Sequence, residues 1–432
     1  MTDALAHLVE RARAPLYRNA YALVLNTAAT SGLGVVYWML AARLYSADAV
    51  GLNSALISTM MFLVGLSELN LSNAMTRFIP VAGRSTRRLV RNALGVSFGL
   101  SILAGGVYVL GINVLSPAQS FLADSPPVAL AFMAATAVWC MFTQQDFILA
   151  GLRHATWVTV KNALFGAAKI VLMAVFAAEF AQFGIFASWT LPTVAVVILV
   201  NWLIFRRLIP RHEASPVREG LSISSGQVAR YVAGDYAGAL FALTVETLMP
   251  LVVIHQLTVE ANAYFYLGWV IAYPLFQISV NMATSLTVEG ASEPDKFGLY
   301  SRRILRHIMR LLLPAVAVGF IGAPFILGIF GPDYAAESTA LLRLLCLAAI
   351  PYSLKALYIS FCRVRRRMTN VVIVEAAACL SILGLSYALL PSMGIAGVGV
   401  AWLASQCMIA GGLLLTQLGR LRRWLQAGVH AS

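Results

Sequence analysis

Charge is scarce in this sequence. Lys, Arg, Asp and Glu together make up 11% of its 432 residues, and 60% are hydrophobic. A soluble globular chain carries roughly 25% charged residues and about 45–50% apolar ones. With a mean hydropathy of +0.80, the chain cannot cover its core with a polar surface in water, so it takes lipid as its solvent. That excludes a soluble enzyme, a nucleic-acid-binding domain and a disordered scaffold.

The usual carriers of chemistry are also missing. Cys140, Cys346, Cys362, Cys379 and Cys407 are scattered inside or beside apolar runs, with no zinc or redox spacing, and read as small hydrophobes in helix packing. There is no Gly-x-x-x-x-Gly-Lys-Ser/Thr phosphate loop, no His-Glu-x-x-His and no metal-ligand cluster, so neither a cofactor nor a metal is expected. The six histidines are isolated, with His255 near a membrane end. No cleavable signal peptide is expected either. Glu10, Arg11, Arg13 and Arg18 precede the first apolar run, which is longer than the apolar core of about 7–15 residues that such peptides use.

What is abundant is long apolar runs. A spanning helix needs about 20 such residues, and twelve segments qualify: 20–42, 50–78, 92–115, 128–151, 157–178, 184–205, 227–254, 262–286, 309–330, 338–362, 371–390 and 394–417. The expected fold is therefore an all-α polytopic membrane protein with about twelve transmembrane helices.

The basic residues orient these helices. With the N-terminus inside, every lysine and arginine except Arg43, Lys169, Arg343 and Lys355 falls in the tails, in an even-numbered connection or at the span end bordering one. Arg153 and Lys161 are counted in the fourth connection. Asp48, Asp124, Glu179, Glu260, Asp333 and Glu337 fall in external connections. A shift of one helix would scramble this sorting, so both termini are expected in the cytoplasm. Residues 1–19 place Leu5, Leu8, Val9, Ala12 and Leu16 at helical spacing, as a surface-lying amphipathic helix would. Residues 418–432 form a cytoplasmic tail that can do the same.

The halves resemble each other at a shift of about 210 residues. Ser46-Ala47-Asp48-Ala49 answers Thr258-Val259-Glu260-Ala261, Arg153-His154 answers Arg363 to Arg367, and Gly184-Ile185 answers Gly394-Ile395. Two six-helix bundles follow, 20–205 and 227–417, joined by a cytoplasmic linker over 206–226 and related by a pseudo-two-fold along the membrane normal. Duplicated bundles of this kind are typical of transporters that rock between two states. Prolines 192, 250, 274, 314, 324 and 351 lie inside spans and permit kinks. Gly394-x-x-Gly397 reads as a helix-packing motif.

Ionisable groups inside spans are functional candidates by default, because burial there costs roughly 2.5–3.5 kcal/mol. Arg77, Lys169 and Lys355 are candidates to hold an anionic headgroup such as a pyrophosphate. Glu68, Asp146, Asp235 and Glu246 are candidates to couple H⁺ or Na⁺, or to line a wet cavity between the halves. Asp235 and Glu246 stand about three turns apart and share a face. Gln144, Gln145, Asn70, Asn73 and Asn281 add polar neighbours. The alternative for Glu68 and Asp146 is simple pairing with Lys169, Lys355 or Arg77.

Four stretches look familiar. Ala42-Arg-Leu-Tyr-Ser-Ala-Asp-Ala-Val-Gly-Leu, Ser67-Glu-Leu-Asn-Leu-Ser-Asn-Ala running to Arg77-Phe-Ile-Pro80, Phe330-Gly-Pro-Asp-Tyr-Ala and Gly394-Ile-Ala-Gly-Val-Gly resemble bacterial polysaccharide-lipid (O-antigen, Wzx-like) flippases. These belong to the superfamily that includes multidrug and toxin extrusion proteins and lipid II flippases. Asn70 stands where many relatives carry glycine. The resemblance implies an inner-membrane flippase that moves an undecaprenyl-pyrophosphate-linked oligosaccharide outward by alternating access, for surface polysaccharide such as lipopolysaccharide. It also implies a V-shaped pair of bundles, a cationic cavity and an ion gradient or membrane potential as driving force. Its partners would be the lipid-linked sugar, membrane lipids, H⁺ or Na⁺ and a polysaccharide polymerase or export protein, with no nucleic acid.

Two other readings remain. One is an ion-coupled multidrug exporter on the same fold, whose cationic substrates would favour intramembrane acids. The other is a membrane glycosyltransferase or polymerase, which short external connections disfavour.

Overall fold

The computed structural model describes residues 32–214, 225–292, 297–365 and 367–427. Within them, side chains at 73, 155, 225–235, 288–292, 297–299 and 417–427 are outside the description. The expected amphipathic segment 1–19, the start of the first span and most of the linker around 215–224 lie outside the described residues.

Helices and turns account for the described chain, with no strand among the described residues. The principal helices are α1 (Gly32–Leu44), α2 (Ala47–Glu68), α3 (Thr86–Leu110), α4 (Pro126–Gly151), α5 (Ala155–Glu179) and α6 (Gly184–Leu203). They continue as α7 (Ser225–Gln256), α8 (Val259–Ser292), α9 (Phe297–Gly328), α10 (Pro332–Val364), α11 (Met368–Met393) and α12 (Ala396–Ala427). Eleven of the described helical stretches are long and apolar enough to cross a membrane, and α1 adds a shorter apolar piece. The protein is a multi-pass membrane protein.

Three expectations change. The second span, 50–78, is not continuous: α2 stops at Glu68, and a separate helix, Leu71–Ala82, follows. Between them Leu69 (φ 49°) and Asn70 (φ 58°) are both left-handed. Asparagine tolerates that region, whereas a leucine there costs about 1–2 kcal/mol. Hydropathy runs smoothly through the break, so periodicity alone does not reveal it. Second, the connections expected at 206–226 and 287–308 are largely helical where described. A π-helical turn, Ile204–Leu208, carries α6 on to Ala214, and α9 already begins at Phe297. Third, the third span starts at Thr86 rather than 92.

The matched turns of the two halves are built alike. Ser46 Oγ accepts from Ala49 N at the start of α2 (3.2 Å), and Thr258 Oγ1 accepts from Ala261 N at the start of α8 (3.0 Å). Each cap satisfies one of the amides a helix start leaves open. Asp48 and Glu260 then sit in the first turn, where the helix dipole favours acid. Gly394, at φ 58° and ψ −151°, makes the tight turn between α11 and α12 in a conformation that glycine alone adopts readily.

By packing, the chain divides into two compact units, residues 40–263 and residues 264–432 together with those up to Met39. These units set α7 and the first turn of α8 with residues 40–205, and the part of α1 up to Met39 with the second half. Trp38 of α1 packs edge-on against Tyr266 at 4.7 Å, and α7 packs against α2. In the unit 40–263, α2 is enclosed by α3, α4, α6 and α7. Its hydrophobic window is 78% buried, against 22% for α9, so α2 is a core helix and α9 largely faces lipid. Small residues allow the enclosure. A Cβ at Gly51 would fall on the Val259 carbonyl, and Asn262 donates to Gly51 O (2.8 Å) and Ser54 Oγ (3.1 Å).

Candidate functional site

The ionisable groups collect on two helical hairpins. In the first, α4 and α5 are joined by a short turn in which Arg153 takes φ 63°. Asp146 and Lys161 stand comparably far from that turn, so antiparallel packing brings them side by side. Lys161 Nζ lies 2.5 Å from Asp146 Oδ1, donates to Phe142 O at 2.6 Å, and sits 3.6 Å from the Phe142 ring centre. Asn162 Nδ2 donates to the other carboxylate oxygen at 3.4 Å. Lys161 is 1% exposed. Counting it in the basic fourth connection was therefore wrong: it lies inside α5 and is matched by acid.

Aromatic rings extend from this pair. Trp139 stacks on Phe142 at 5.0 Å and touches Phe165 and Trp189 at 5.6 and 5.4 Å. Lys169 occupies the far side, buried, with Nζ 3.9 Å above the Trp189 ring and 5.1 Å from Phe165. The ring faces carry negative potential, so two ammonium groups can flank one aromatic block. Gln145 fixes α6 to α4 by donating to Val197 O (3.0 Å) and Asn201 Oδ1 (2.9 Å).

In the other unit, α10 and α11 form the corresponding hairpin. Lys355 Nζ lies 2.9 Å from Glu375 Oε2 and 4.8 Å from the Tyr352 ring, with both charged side chains buried. Tyr352 in turn meets Phe276, which packs with Trp269 and Trp402. Two members of these pairs, Lys161 and Glu375, were absent from the sequence-derived set. Glu375 carries the same signal as the others, an acid inside the expected span 371–390. Lys161 lies near a span end and reads as an orienting charge.

The remaining candidates are dispersed. Arg77 lies exposed on the helix Leu71–Ala82, with its guanidinium 5.8 Å from the Phe78 ring. Glu246 of α7 and Asn281 of α8 are half-buried. The side chains of Asp235 and Asn73 lie outside the described residues, so the face shared by Asp235 and Glu246 is not placed. Glu68 ends α2, with Oε1 sealed from solvent and no hydrogen-bond partner among the described residues. Among the described residues no group of three His, Cys, Asp or Glu is placed to hold a metal ion.

Twelve apolar helices with hairpin pairs at the fourth and fifth positions of each half invite comparison with solved transporters. An inward-facing conformation of a multidrug resistance MATE family transporter of the MOP superfamily superposes with a TM-score of 0.70 at 17% identity, over 92% of this chain and 96% of that one. The fold is that of the MATE transporters. An outward-facing conformation of a MATE family multidrug transporter gives 0.64 at 16% identity over 95% and 96%. A MATE protein in complex with MaL6 gives 0.65 at 15% over 95% and 96%. No protein-family model matches the chain. No curated protein sequence matches it either. At these identities the likeness concerns the MATE fold alone.

Proposed function

We propose that the chain is an ion-coupled exporter of amphipathic, cationic or neutral small molecules, working by alternating access in a bacterial plasma membrane. The MATE neighbours are named as multidrug resistance transporters, and both inward- and outward-facing conformations are known among them. The observation that carries the substrate class is the pairing of the buried lysines. Lys355, one of the three candidates for a pyrophosphate, is matched by Glu375 within its own hairpin, and Lys161 is matched by Asp146. A lysine already neutralised by a carboxylate offers an anion little, because freeing it strands the other charge.

The test uses a bacterial strain stripped of its own exporters. Expression is expected to lower accumulation of a cationic dye such as ethidium, and an uncoupler is expected to restore it. Unchanged accumulation would remove this reading.

A second reading is the flippase for an undecaprenyl-pyrophosphate-linked oligosaccharide, acting beside a polysaccharide polymerase. It is favoured by the stretches at 42–52, 67–74, 330–335 and 394–399, which resemble polysaccharide-lipid flippases. Under this reading a deletion strain accumulates the completed lipid-linked unit on the inner face and loses surface polysaccharide.

A further inference from the structure

Glu68 stands where α2 ends against three other helices. Tyr236 of α7 donates to Leu66 O at 2.8 Å, capping one of the carbonyls a helix end leaves open. Cys140 of α4 is an electrostatic neighbour of Glu68 and lies beside Ser97 and Ser101, one turn apart on α3. Ser97 Oγ is engaged by Gln144 Nε2 from the next turn of α4. Helix Leu71–Ala82 packs on α4 towards its end, where a Cβ at Gly151 would meet the Met75 carbonyl.

Three oxygens in this cluster are sealed from solvent and have no hydrogen-bond partner among the described residues: Glu68 Oε1, Gln144 Oε1 and Ser101 Oγ. Gln144 and Ser101 are both 0% exposed. Leaving one buried polar atom unmatched costs about 1–3 kcal/mol, and more for a charged group. A carboxylate oxygen, an amide oxygen and a hydroxyl oxygen left so around Cys140 are the kind of donor set that a hard cation takes. We propose that Glu68, Gln144, Ser97 and Ser101 form a binding site for a small monovalent cation. H⁺ is the minimal occupant and neutralises Glu68 alone, whereas Na⁺ draws on the amide and hydroxyl oxygens as well.

The titratable side chains described next to Glu68 are Tyr236 and Cys140. Asp146, further along α4, is matched by Lys161, and the Asp235 side chain lies outside the described residues. The site deepens the exporter reading by giving a coupling cation a place, and rests on that reading only for the cation's use. Binding itself is measured on the purified protein.

The experiment is thermal unfolding of the full chain in detergent and choline chloride. NaCl or KCl is titrated at fixed, mildly alkaline pH, and the pH is then lowered without Na⁺. A ligand that binds the folded state raises the midpoint. A saturable rise with Na⁺ but not K⁺ identifies Na⁺, and a rise on acidification alone identifies H⁺. In either case Glu68→Gln is expected to abolish the response. Should Glu68→Gln fail to fold, Glu68→Asp, Gln144→Leu and Ser101→Ala carry the test, and a loss of one oxygen is expected to weaken Na⁺ binding about tenfold or to displace the pH response. A wild-type protein indifferent to both ions, a Glu68→Gln protein with the full response, or three unaltered responses in the substitute variants overturns the proposal. Dye export that is absent while the cation response persists removes the exporter reading and leaves the site standing.

Discussion

The hairpin α4–α5 and the hairpin α10–α11 hold the same device with the signs exchanged. In the first, the acid precedes the turn and the lysine follows it, as Asp146 and Lys161; in the second, Lys355 precedes and Glu375 follows. Position and neutrality of the pair are thus common to both halves, and the direction of the charge is not. The surroundings differ as well. Lys161 has a backbone carbonyl and a ring face at close range, and its acid is held by Asn162. Lys355 has Glu375 and a more distant ring. One pair is built around the lysine in particular. The other is nearer to a bare ion pair.

Removing single charges is the strongest way to break this comparison. Breaking a buried pair from one side leaves an uncompensated charge and costs about 3–5 kcal/mol. Lys161→Met is expected at the upper end of that range, since the Phe142 carbonyl loses its donor too, and Lys355→Met at the lower end. Denaturant unfolding of the purified proteins measures both. Losses below about 1 kcal/mol, the scale of exposed pairs, would show that neither pair is sealed.

Reversal separates the hairpins more sharply. Exchanging both charges, as Lys355→Glu with Glu375→Lys, is expected to recover stability to within about 1 kcal/mol of the native chain, because little else there depends on sign. The exchange Asp146→Lys with Lys161→Asp is expected to leave about 2–3 kcal/mol unrecovered, since it turns a carboxylate toward the Phe142 carbonyl and ring. Equal recovery in both hairpins would contradict the assigned role of Phe142.

Much of this was legible in the sequence, and the limits have physical causes. Long apolar runs gave the helices, and the paired turns at Ser46 and Thr258 stood out as alike, because hydropathy and turn composition are local; that the serine and the threonine there act as caps came from the structure. Asp146, Lys169 and Lys355 stood out as charges inside spans, but their partners depend on how hairpins fold back, which no local pattern states. Glu375 carried the same signal and was passed over. The break at Leu69–Asn70 left a single trace, an asparagine, which tolerates the left-handed region, since leucine and asparagine do not interrupt an apolar run. The placing of α7 with the first unit, and of α1 up to Met39 with the second, depends on tertiary packing throughout.

The caps offer a smaller test of equivalence. Ser46→Ala and Thr258→Ala are each expected to cost about 0.5–2 kcal/mol, and the two losses to add, as independent sites do. A loss at only one of them would mean that the two turns are alike in sequence but not in load.

The smallest effect compares α2 with α8. At the shift of about 210 residues Asn70 answers Asn281, yet Asn70 is left-handed at the end of a broken helix, whereas Asn281 lies inside α8, which runs unbroken to Ser292. Glycine loses nothing sterically in the left-handed region but brings more freedom to the unfolded chain. The backbone part of Asn70→Gly is therefore expected to change stability by no more than about 0.5 kcal/mol, with the loss of the side chain's own contacts added to it. Inside a helix the same substitution adds the entropic penalty to the loss of the side chain's own contacts, so Asn281→Gly is expected to cost at least about 0.5–1 kcal/mol. Thermal unfolding of the two variants side by side gives the ordering. Should Asn70→Gly prove the more damaging, the asparagine side chain rather than the backbone angle holds the break, and the two halves then differ there by a specific contact.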